Sequence, residues 1–315
     1  MKSIGIFPAS GGLGGSTYTH LLSQVPYDKV TLICRDSSKI PSKYRETGVT
    51  VREASYESST QELADAFRGI DVLFLISYPS HVRDYRVQVQ VPALDAAVRG
   101  AGVKHVFYSS LGFALPEKDH SLAEVMQAHL VMEKKLRAIA AEDGGFTWTS
   151  IREGLYHESF PIYTSFWTLE EPFEEILIPH DGSGPGVSWV KRDELGEASA
   201  KLIAQYAESP STFPWINKLV VLTGPKEWSL SETVEVLGTA VGKAVKIKQV
   251  GLDEWMAQPQ IKSYFGTEEK AKTWATAWDA VRAGEASYVS PLLREILNRE
   301  PEPLEVTIKS MTKNL

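Results

Sequence analysis

The alternation of strand-like and helix-like segments constrains the fold of this chain more than any other feature. Six apolar runs have the length and composition of buried strands: SIGIF, KVTLIC, VTVREA, DVLFLIS, HVFYSS and FTWTSI. Between them, segments with apolar residues three and four positions apart predict helices near residues 13 to 24, 59 to 68, 83 to 101 and 120 to 142. This alternation predicts right-handed crossovers and a Rossmann-type α/β fold with a doubly wound parallel sheet.

The second half of the chain has a looser pattern. Aromatic residues are dense in LYHESFPIYTSFWTLEEPF, and the loop PHDGSGPG leads to VSWV. A helix near 192 to 207, the strand KLVVLTG, a helix from about 229 and the short strand VKIKQV follow. We expect a Rossmann-type core over residues 1–155 and a smaller α/β lobe over 156–315, from which about 186–207 return to the core.

The composition favours an ordinary soluble, globular protein, and we expect it to be cytoplasmic. The chain of 315 residues is 43% hydrophobic, and its net charge of −7 argues against a nucleic-acid partner. A single cysteine, Cys34, excludes an internal disulfide and any cysteine-rich zinc site, and we expect no metal. No apolar run approaches the roughly 20 residues of a membrane helix, and the strand pattern at the N-terminus leaves no room for a signal peptide.

A glycine-rich turn follows the first strand. Residues 8 to 14 read Pro-Ala-Ser-Gly-Gly-Leu-Gly, so Gly11 and Gly14 take the second and third positions of a G-x-x-G-x-x-G pattern, with Pro8 at the first. In such turns one glycine lets the backbone approach a pyrophosphate and another lets the helix pack on the strand. Because Pro8 suits the end of a strand, we expect residues 11 to 14 to supply the phosphate donors. The turn predicts a dinucleotide site.

The end of the second strand indicates which dinucleotide binds. An acid at this position accepts a hydrogen bond from the 2′-hydroxyl of NAD, whereas an arginine accommodates the 2′-phosphate of NADP. Here Arg35 stands first, Lys39 follows one helical turn later, and Ser10 adds a hydroxyl. This pattern favours NADP(H), while Asp36 leaves NAD as the alternative.

Motifs in the middle of the chain resemble a known family. The segment AHLVMEKKLRAIAAEDGGFTWTSIREGLYHESF is similar to A-H-x-x-x-E-x-x-L followed by T-x-L-R-N-G-W-Y-x-E-N in NmrA-like atypical short-chain dehydrogenases, most of all in the branch of NADPH-dependent quinone oxidoreductases and triphenylmethane reductase. VSWVKRDELGEASAKLI resembles the later R-x-D-L-A-x-A segment of that family. The resemblance spans about residues 3 to 207. It departs from the family at Glu153, Glu194 and Gly196, and at Ser55, where many relatives carry an acid.

The resemblance implies roles for individual residues, matched position by position. The pyrophosphate residues are Ser10, Gly11, Gly12, Leu13 and Gly14, and those at the 2′-phosphate are Arg35 and Lys39. Ser77, Tyr78 and Pro79, after the fourth strand, and Ser109, after the fifth, would line the nicotinamide side. His129 and Tyr156 would lie near the nicotinamide ribose and the substrate. The family likeness also implies a monomer or a weak homodimer.

The expected proton donor of short-chain dehydrogenases is absent from the sequence. None of the 12 tyrosines has a lysine four residues later, and if His129 takes the lysine position, Val125 takes that of the tyrosine. The catalytic candidates are therefore His129, Tyr156 and Tyr78. Glu133 follows His129 by four residues, so the two side chains share a helix face and could form a proton relay. The alternative for His129 is a hydrogen bond to the cofactor ribose, and the alternative for Glu133 is a structural ion pair.

An aromatic cluster is the candidate substrate pocket. Its members are Phe113, Tyr156, Phe160, Tyr163, Phe166, Trp167 and Trp189. Ligand sites are apolar and aromatic with few polar groups, which favours a pocket; the alternative is that these residues form an ordinary core. We expect an NADPH-dependent reductase that transfers hydride to a flat, electron-poor small molecule. The alternatives are a non-catalytic NADP-sensing regulator of the NmrA type, which binds a protein partner, and an isomerase or aldolase-like enzyme on the same fold.

Overall fold

All six strands predicted in the first half are present in the computed structural model, which describes residues 1–313. The nine strands of the described chain are β1 (Ile4–Phe7), β2 (Val30–Cys34), β3 (Thr50–Glu53), β4 (Val72–Ile76), β5 (His105–Leu111), β6 (Thr147–Glu153), β7 (Glu175–Ile178), β8 (Lys218–Leu222) and β9 (Lys246–Gln249). The predicted strand ends differ from these bounds by no more than two residues in the first half. Near-continuous apolar strands such as β4 are buried, as a sheet covered on both faces requires.

Seven strands form one sheet in the order β3-β2-β1-β4-β5-β6-β8. Strands β2 and β4 both pair in parallel with β1, and β3 and β5 extend the sheet outward on either side, also in parallel. The order reverses direction between β1 and β4, which makes this the switch point where ligands bind in doubly wound folds. The predicted fold class is confirmed.

Helices connect the strands throughout. They are α1 (Gly12–Leu21), α2 (Ser42–Arg45), α3 (Thr60–Phe67), α4 (Arg83–Asp95), α5 (Glu124–Glu142), α6 (Phe160–Tyr163), α7 (Arg192–Glu208), α8 (Leu230–Ala240), α9 (Leu252–Ala257), α10 (Pro259–Phe265), α11 (Glu268–Arg282), α12 (Leu292–Leu297) and α13 (Leu304–Thr312). Helix α4 contains Pro92 and continues into a π-helical turn at Ala96–Gly100. Within residues 1–313, no helix is both long enough and apolar enough to cross a membrane.

The described chain divides into two units whose boundaries are more interleaved than the sequence suggested. The first comprises residues 1–110, 128–153 and 192–221, and the second comprises 111–127, 154–191 and the chain from 222 onward. We expected the core to be continuous to residue 155, but residues 111–127 belong to the second unit. The segment that returns to the first unit covers residues 192–221, and it includes nearly all of β8 because β8 joins the large sheet.

Packing within the first unit explains why residue 196, where the chain departs from the family pattern, is glycine. A Cβ atom at Gly196 on α7 would lie 2.1 Å from Ser16 Oγ and 2.6 Å from Ser16 Cβ on α1. Ser16 Oγ in turn donates a hydrogen bond to the Asp193 carboxylate at 2.6 Å. Helices α1 and α7 therefore approach each other too closely for any side chain at residue 196. Residue 196 therefore lies in the contact between two helices of the first unit.

The second unit contains a small sheet that the sequence pattern only half revealed. Strand β9 was predicted, but its parallel partner β7, which lies just after the aromatic-rich segment, was not. The segment VSWV, to which no element was assigned, forms two isolated bridges, Tyr156 with Val190 and Val187 with Trp228. The four-residue run EILI of β7 is too short for periodicity to separate strand from helix.

His105 is a buried polar group of the first unit with a measurable consequence. Its Nδ1 is 2.7 Å from Thr147 Oγ1, its Nε2 is 3.2 Å from Thr149 Oγ1, and its ring stacks on Tyr206. Burial lowers the pKa of His105 from 6.5 to about 3. The folded state therefore keeps this imidazole neutral where the unfolded chain protonates it.

We expect acid to destabilise the protein partly through His105. Between pH 6.5 and about 3 the unfolded state binds one more proton at this residue, so the free energy of unfolding falls as pH falls, by about 1.4 kcal/mol per pH unit. Urea unfolding measured from pH 7 to 5 checks this. His105→Gln, which retains hydrogen-bonding groups, should reduce the slope by about one proton, whereas His120→Gln, at an exposed histidine, is the control. An unchanged slope in His105→Gln contradicts the prediction.

Candidate functional site

The glycine-rich turn forms an uncapped helix N-terminus in the first unit. Gly11 is the N-cap residue of α1, no side chain caps the helix, and its first turn has no acid. The first helical hydrogen bond runs from Gly15 N–H to Gly11 O at 2.7 Å. The amides of Gly12, Leu13 and Gly14 precede it, so they have no partner within the helix. Free amides and the helix dipole make this end suited to an anion.

Residues 11 and 14 of the turn are glycine for different structural reasons. A Cβ at Gly14 would lie 2.5 Å from Pro8 O and 2.8 Å from Ala9 O, so only glycine permits the close approach of helix and strand. A Cβ at Gly11 would meet no atom within 4 Å, and its φ of −78° suits any residue. Glycine at Gly11 is therefore not required by the fold, which is the pattern expected where a ligand approaches the backbone. Strand β1 ends at Phe7, and the Phe7–Pro8 peptide bond is cis.

The predicted residues of the turn differ in their exposure to solvent. Ser10, Gly11 and Gly12 are exposed, whereas the Leu13 side chain is buried, so Leu13 can offer only its backbone amide. A Cβ at Gly12 would lie 2.8 to 2.9 Å from the guanidinium of Arg192, the first residue of α7. An arginine thus lies against the turn, and the sequence analysis did not identify it.

Two exposed cations follow β2. Arg35 and Lys39 are exposed and make no hydrogen bond or ion pair through their side chains with other residues of the described chain. The Asp36 carboxylate instead accepts bonds from the backbone N–H and the hydroxyl of Ser38, at 2.9 and 2.6 Å, and caps a short 3₁₀ helix. These bonds hold the pKa of Asp36 below its usual value. Since this carboxylate is occupied within the loop, the geometry favours a 2′-phosphate over a ribose hydroxyl.

The loop after β4 holds Ser77, Tyr78 and Pro79. The Tyr78 backbone N–H donates to Gln90 Oε1 at 2.7 Å, and its ring packs edge-on against Tyr56 and Tyr85. Hydrogen bonding to the Glu57 carboxylate, followed by burial, raises the pKa of Tyr78 to about 12. A phenol with that pKa is a poor acid at neutral pH, so the structure does not support Tyr78 as a proton donor.

His129 is buried and has different partners from those expected. Its Nε2 accepts a hydrogen bond from Arg86 Nη2 at 2.7 Å, and its Nδ1 lies 3.2 Å from the Tyr108 hydroxyl. Burial, then the charges of Arg86 and Arg152, hold the pKa of His129 well below 6.5. The imidazole is therefore neutral, and because Nε2 accepts, Nδ1 carries the proton and donates to Tyr108. His129 is not available as a general acid near neutral pH.

Glu133 and His129 form their hydrogen bonds with different partners, so the predicted relay between them is wrong. Its carboxylate forms a fully buried ion pair with Arg152, at 2.7 and 3.0 Å, and accepts bonds from the hydroxyls of Ser110 and Ser150 at 2.8 and 3.1 Å. This is the structural ion pair that we considered for Glu133. Residues four apart on a helix share a face, but tertiary partners decide which of them bond. Ser109 is buried within β5 and not after it, because β5 extends to Leu111.

In the second unit, five residues of the predicted pocket lie in the core. They are Phe113, Phe160, Tyr163, Trp167 and Trp189, each 0 to 4% exposed. Tyr163 packs against the rings of Phe113, Trp189 and Trp274, and the Trp189 indole N–H donates to Thr233 Oγ1 at 2.9 Å. Because these five rings are buried and pack against other aromatic rings, they do not line an open pocket. Their arrangement matches the alternative interpretation of the cluster, an ordinary hydrophobic core.

Two aromatic residues of the predicted cluster keep exposed surface. Tyr156 is half-buried and is held by a parallel bridge to Val190. Phe166 is also half-buried, and its ring lies 4.3 Å from that of Tyr264. Tyr156 thus remains the catalytic and substrate candidate of the second unit.

The strand order, the switch point and the uncapped glycine turn define a NAD(P)-binding fold of the Rossmann type. Comparison with known proteins then identifies the family. The model of the NmrA-like family matches residues 1–278, and the chain belongs to this family. The resemblance drawn from the motifs is confirmed.

Individual proteins that are similar to this chain support its assignment to the NmrA-like family. An NmrA-like family domain-containing oxidoreductase of Aspergillus flavus, flvB, is 30% identical over 305 residues, which are 96% of this chain and 92% of the relative. A triphenylmethane reductase of Citrobacter sp. is 27% identical, with a TM-score of 0.77 over 99% of both chains. Its complex with NADP(H) gives a TM-score of 0.75 over 98% of this chain and 99% of the reductase.

A more distant structure shares the fold. The NADPH-dependent quinone oxidoreductase QOR2 of Escherichia coli, complexed with NADPH, is 23% identical, with a TM-score of 0.78 over 98% of this chain and 99% of that protein. At this identity the likeness establishes the architecture alone.

Proposed function

We propose that this protein is an NADPH-dependent reductase that transfers hydride to a flat, apolar, electron-poor small molecule such as a quinone, an enone or an iminium. The observation that carries the proposal is the uncapped N-terminus of α1, with an open space at Gly11. The oxidoreductase relative and the NADP(H)-bound reductase support it.

The chain's residues fit NADPH at both charged groups. The amides of Gly12, Leu13 and Gly14 suit the pyrophosphate, and Arg35 with Lys39 suits the 2′-phosphate. When bound, NADPH supplies a hydride, that is, two electrons and one proton. Ser77, Pro79 and Ser109 remain predicted neighbours of the nicotinamide.

The type of acceptor follows from the lack of a suitable acid among the first unit's candidates. His129 is buried and neutral, and the pKa of Tyr78 is raised to about 12. An acceptor that gains a hydride must therefore either carry its new charge by delocalisation or lose a positive charge. A quinone or an enone does the first and then takes a proton from water; an iminium does the second and needs no proton.

A turnover assay tests the proposal. Oxidation of NADPH is followed with a panel of quinones, enones and iminium dyes, using the wild type, Tyr156→Phe and His129→Ala. We expect turnover of at least one class and, because His129 is neutral throughout, a kcat that has no inflection from this residue between pH 6 and 8. Binding of NADPH without any turnover contradicts the proposal and favours the NADP-sensing regulator.

Arg35 determines the choice between NADPH and NADH in this proposal. We expect Arg35→Ala to weaken NADPH binding by about 10- to 100-fold, the value of a lost charge-assisted hydrogen bond, and to leave NADH binding unchanged. Titration followed by nicotinamide fluorescence measures both affinities. Arg294→Ala, at an exposed arginine of the second unit, is the control. Equal or tighter binding of NADH by the wild type shows that the assignment of Arg35 is wrong.

A further inference from the structure

A chain of hydrogen bonds in the second unit connects helix α13 to the short 3₁₀ turn His157–Ser159. The His157 ring is fully buried, and its Nδ1 lies 2.7 Å from Thr307 Oγ1 on α13. The Thr307 hydroxyl donates to Glu302 Oε1 at 2.7 Å, and Lys191 Nζ donates to Glu302 Oε2 at 2.9 Å. Three separate parts of the chain are thus joined through four side chains, and no motif predicted this connection.

The Glu302 carboxylate fixes the direction of these bonds. Burial acts to raise the pKa of Glu302, but the bonds from Lys191 and Thr307 outweigh it and hold the pKa below its usual value. Because an ionised carboxylate only accepts, Thr307 donates to it, and the Thr307 oxygen then accepts from His157 Nδ1–H. Burial lowers the pKa of His157 to about 4, so the ring is neutral and this chain of bonds sets its tautomer.

The same residues hold the backbone beside Tyr156. Tyr156 forms a parallel bridge with Val190, and the His157 backbone N–H donates to Val190 O at 2.8 Å. Lys191, the next residue, binds Glu302 through its side chain. The hydrogen bonds therefore form a closed ring, with one side through the backbone at Val190 and the other through Glu302 and α13.

The peptide group between Tyr156 and His157 is bonded at both of its polar atoms. Its carbonyl oxygen accepts from the backbone N–H and the hydroxyl of Ser159 at 2.9 and 2.7 Å, and its N–H donates to Val190 O. Because a peptide group is planar, these bonds and the anchored His157 ring together fix the direction in which the Tyr156 side chain leaves the backbone. The Tyr156 ring is half-buried and keeps exposed surface.

We propose that helix α13 positions Tyr156 for the acceptor, and that His157, Thr307 and Glu302 are positioning residues for the reaction. This inference rests on the proposed function, in which Tyr156 contacts the acceptor. None of the three positioning residues needs to touch the acceptor. A displacement of about 1 Å at a reacting group can lower the rate by about 100-fold, so bonds behind Tyr156 affect turnover through its position.

Thr307 is the link that can be removed with the least change in shape. Thr307→Val replaces the hydroxyl with a methyl group and removes both bonds, whereas Thr307→Ser retains the hydroxyl. Thr312→Val is the matched control, because Thr312 lies on the same helix and its hydroxyl donates to Lys309 O of that helix. We expect kcat/KM for the acceptor to fall by about 10- to 100-fold in Thr307→Val and to stay near the wild-type value in Thr307→Ser and Thr312→Val.

Two further readouts separate the positioning of Tyr156 from a general loss of structure. In a Tyr156→Ala background, Thr307→Val should change kcat/KM by less than about twofold, since the positioned side chain is gone. The NMR signal of the ¹³C-labelled Tyr156 ring, assigned with Tyr156→Phe, should shift or broaden in Thr307→Val and stay unchanged in Thr312→Val. The NMR measurement uses the protein without cofactor or acceptor, so it does not depend on turnover.

Several outcomes overturn the inference. An equal fall of kcat/KM in Thr312→Val, additive effects of Thr307→Val and Tyr156→Ala, or an unchanged Tyr156 signal in Thr307→Val each contradict it. If Thr307→Val does not fold, Glu302→Gln takes its place with the same expected results, because the neutral amide keeps the shape and weakens the bonds from Thr307 and Lys191. Turnover of no acceptor refutes the proposed function, whereas the Tyr156 signal then still decides whether α13 positions this residue.

Discussion

Replacement of Gly11 by valine is expected to abolish NADPH binding and to leave the fold intact. A Cβ at Gly11 meets no atom of the described chain within 4 Å, and a φ of −78° is accessible to valine. The side chain would instead fill the space in front of the amides of Gly12, Leu13 and Gly14. If two or more charge-assisted bonds to phosphate are lost, Kd rises by more than about 100-fold.

The measurement combines binding and stability. NADPH fluorescence titration gives Kd, and urea unfolding gives the free energy of unfolding for the same variant. Gly144→Val is the matched control, since a Cβ there also meets no atom within 4 Å and the residue lies in the loop between α5 and β6. Gly14→Ala should behave in the opposite way and destabilise the fold, because its Cβ would lie 2.5 Å from Pro8 O. Wild-type affinity in a folded Gly11→Val variant shows that the phosphate does not bind at this turn.

Removal of the Glu133 carboxylate is expected to give the largest loss of stability. Glu133→Ala leaves the Arg152 guanidinium, which is 0% exposed, without its bidentate carboxylate. The hydroxyls of Ser110 and Ser150 lose an acceptor at the same time. Breaking a buried ion pair on one side costs about 3–5 kcal/mol, because the remaining charge stays in a medium of low dielectric. Urea unfolding at pH 7 measures the loss.

A double-mutant cycle separates the ion pair from simple truncation. Glu133→Ala, Arg152→Met and the double variant are compared, and the double variant should lose less than the sum of the single variants, since neither charge of this pair is then left without the other. Glu142→Ala is the control at an exposed acid on the same helix, which pairs with Arg99 at the surface. Additive effects, or a loss below about 1 kcal/mol for Glu133→Ala, would mean that the pair contributes no more than a surface salt bridge.

Elements with long periodic patterns were predictable, and short or irregular elements were not. The alternation of apolar strands and amphipathic helices predicted the first six strands and the doubly wound fold, because each such strand must be covered on both faces. Strand β7 was missed, since four residues do not establish a period. The segment VSWV was apolar enough for a strand but forms only isolated bridges.

The site shows the same division. The sequence determined the glycine turn and the cations Arg35 and Lys39, because local backbone needs and charge are properties of residue type and spacing. Only the tertiary structure decided the partners of His129 and Glu133, the burial of the aromatic rings in the second unit, and the chain of hydrogen bonds from His157 to Glu302. These contacts join residues that are far apart in the chain. Hydrogen bonds and burial of this kind leave no periodic pattern in the local sequence, so the sequence did not predict them. The sequence by itself thus determined the class of fold and the position of the glycine-rich turn, whereas tertiary packing decided which side chains are neutral, charged or accessible.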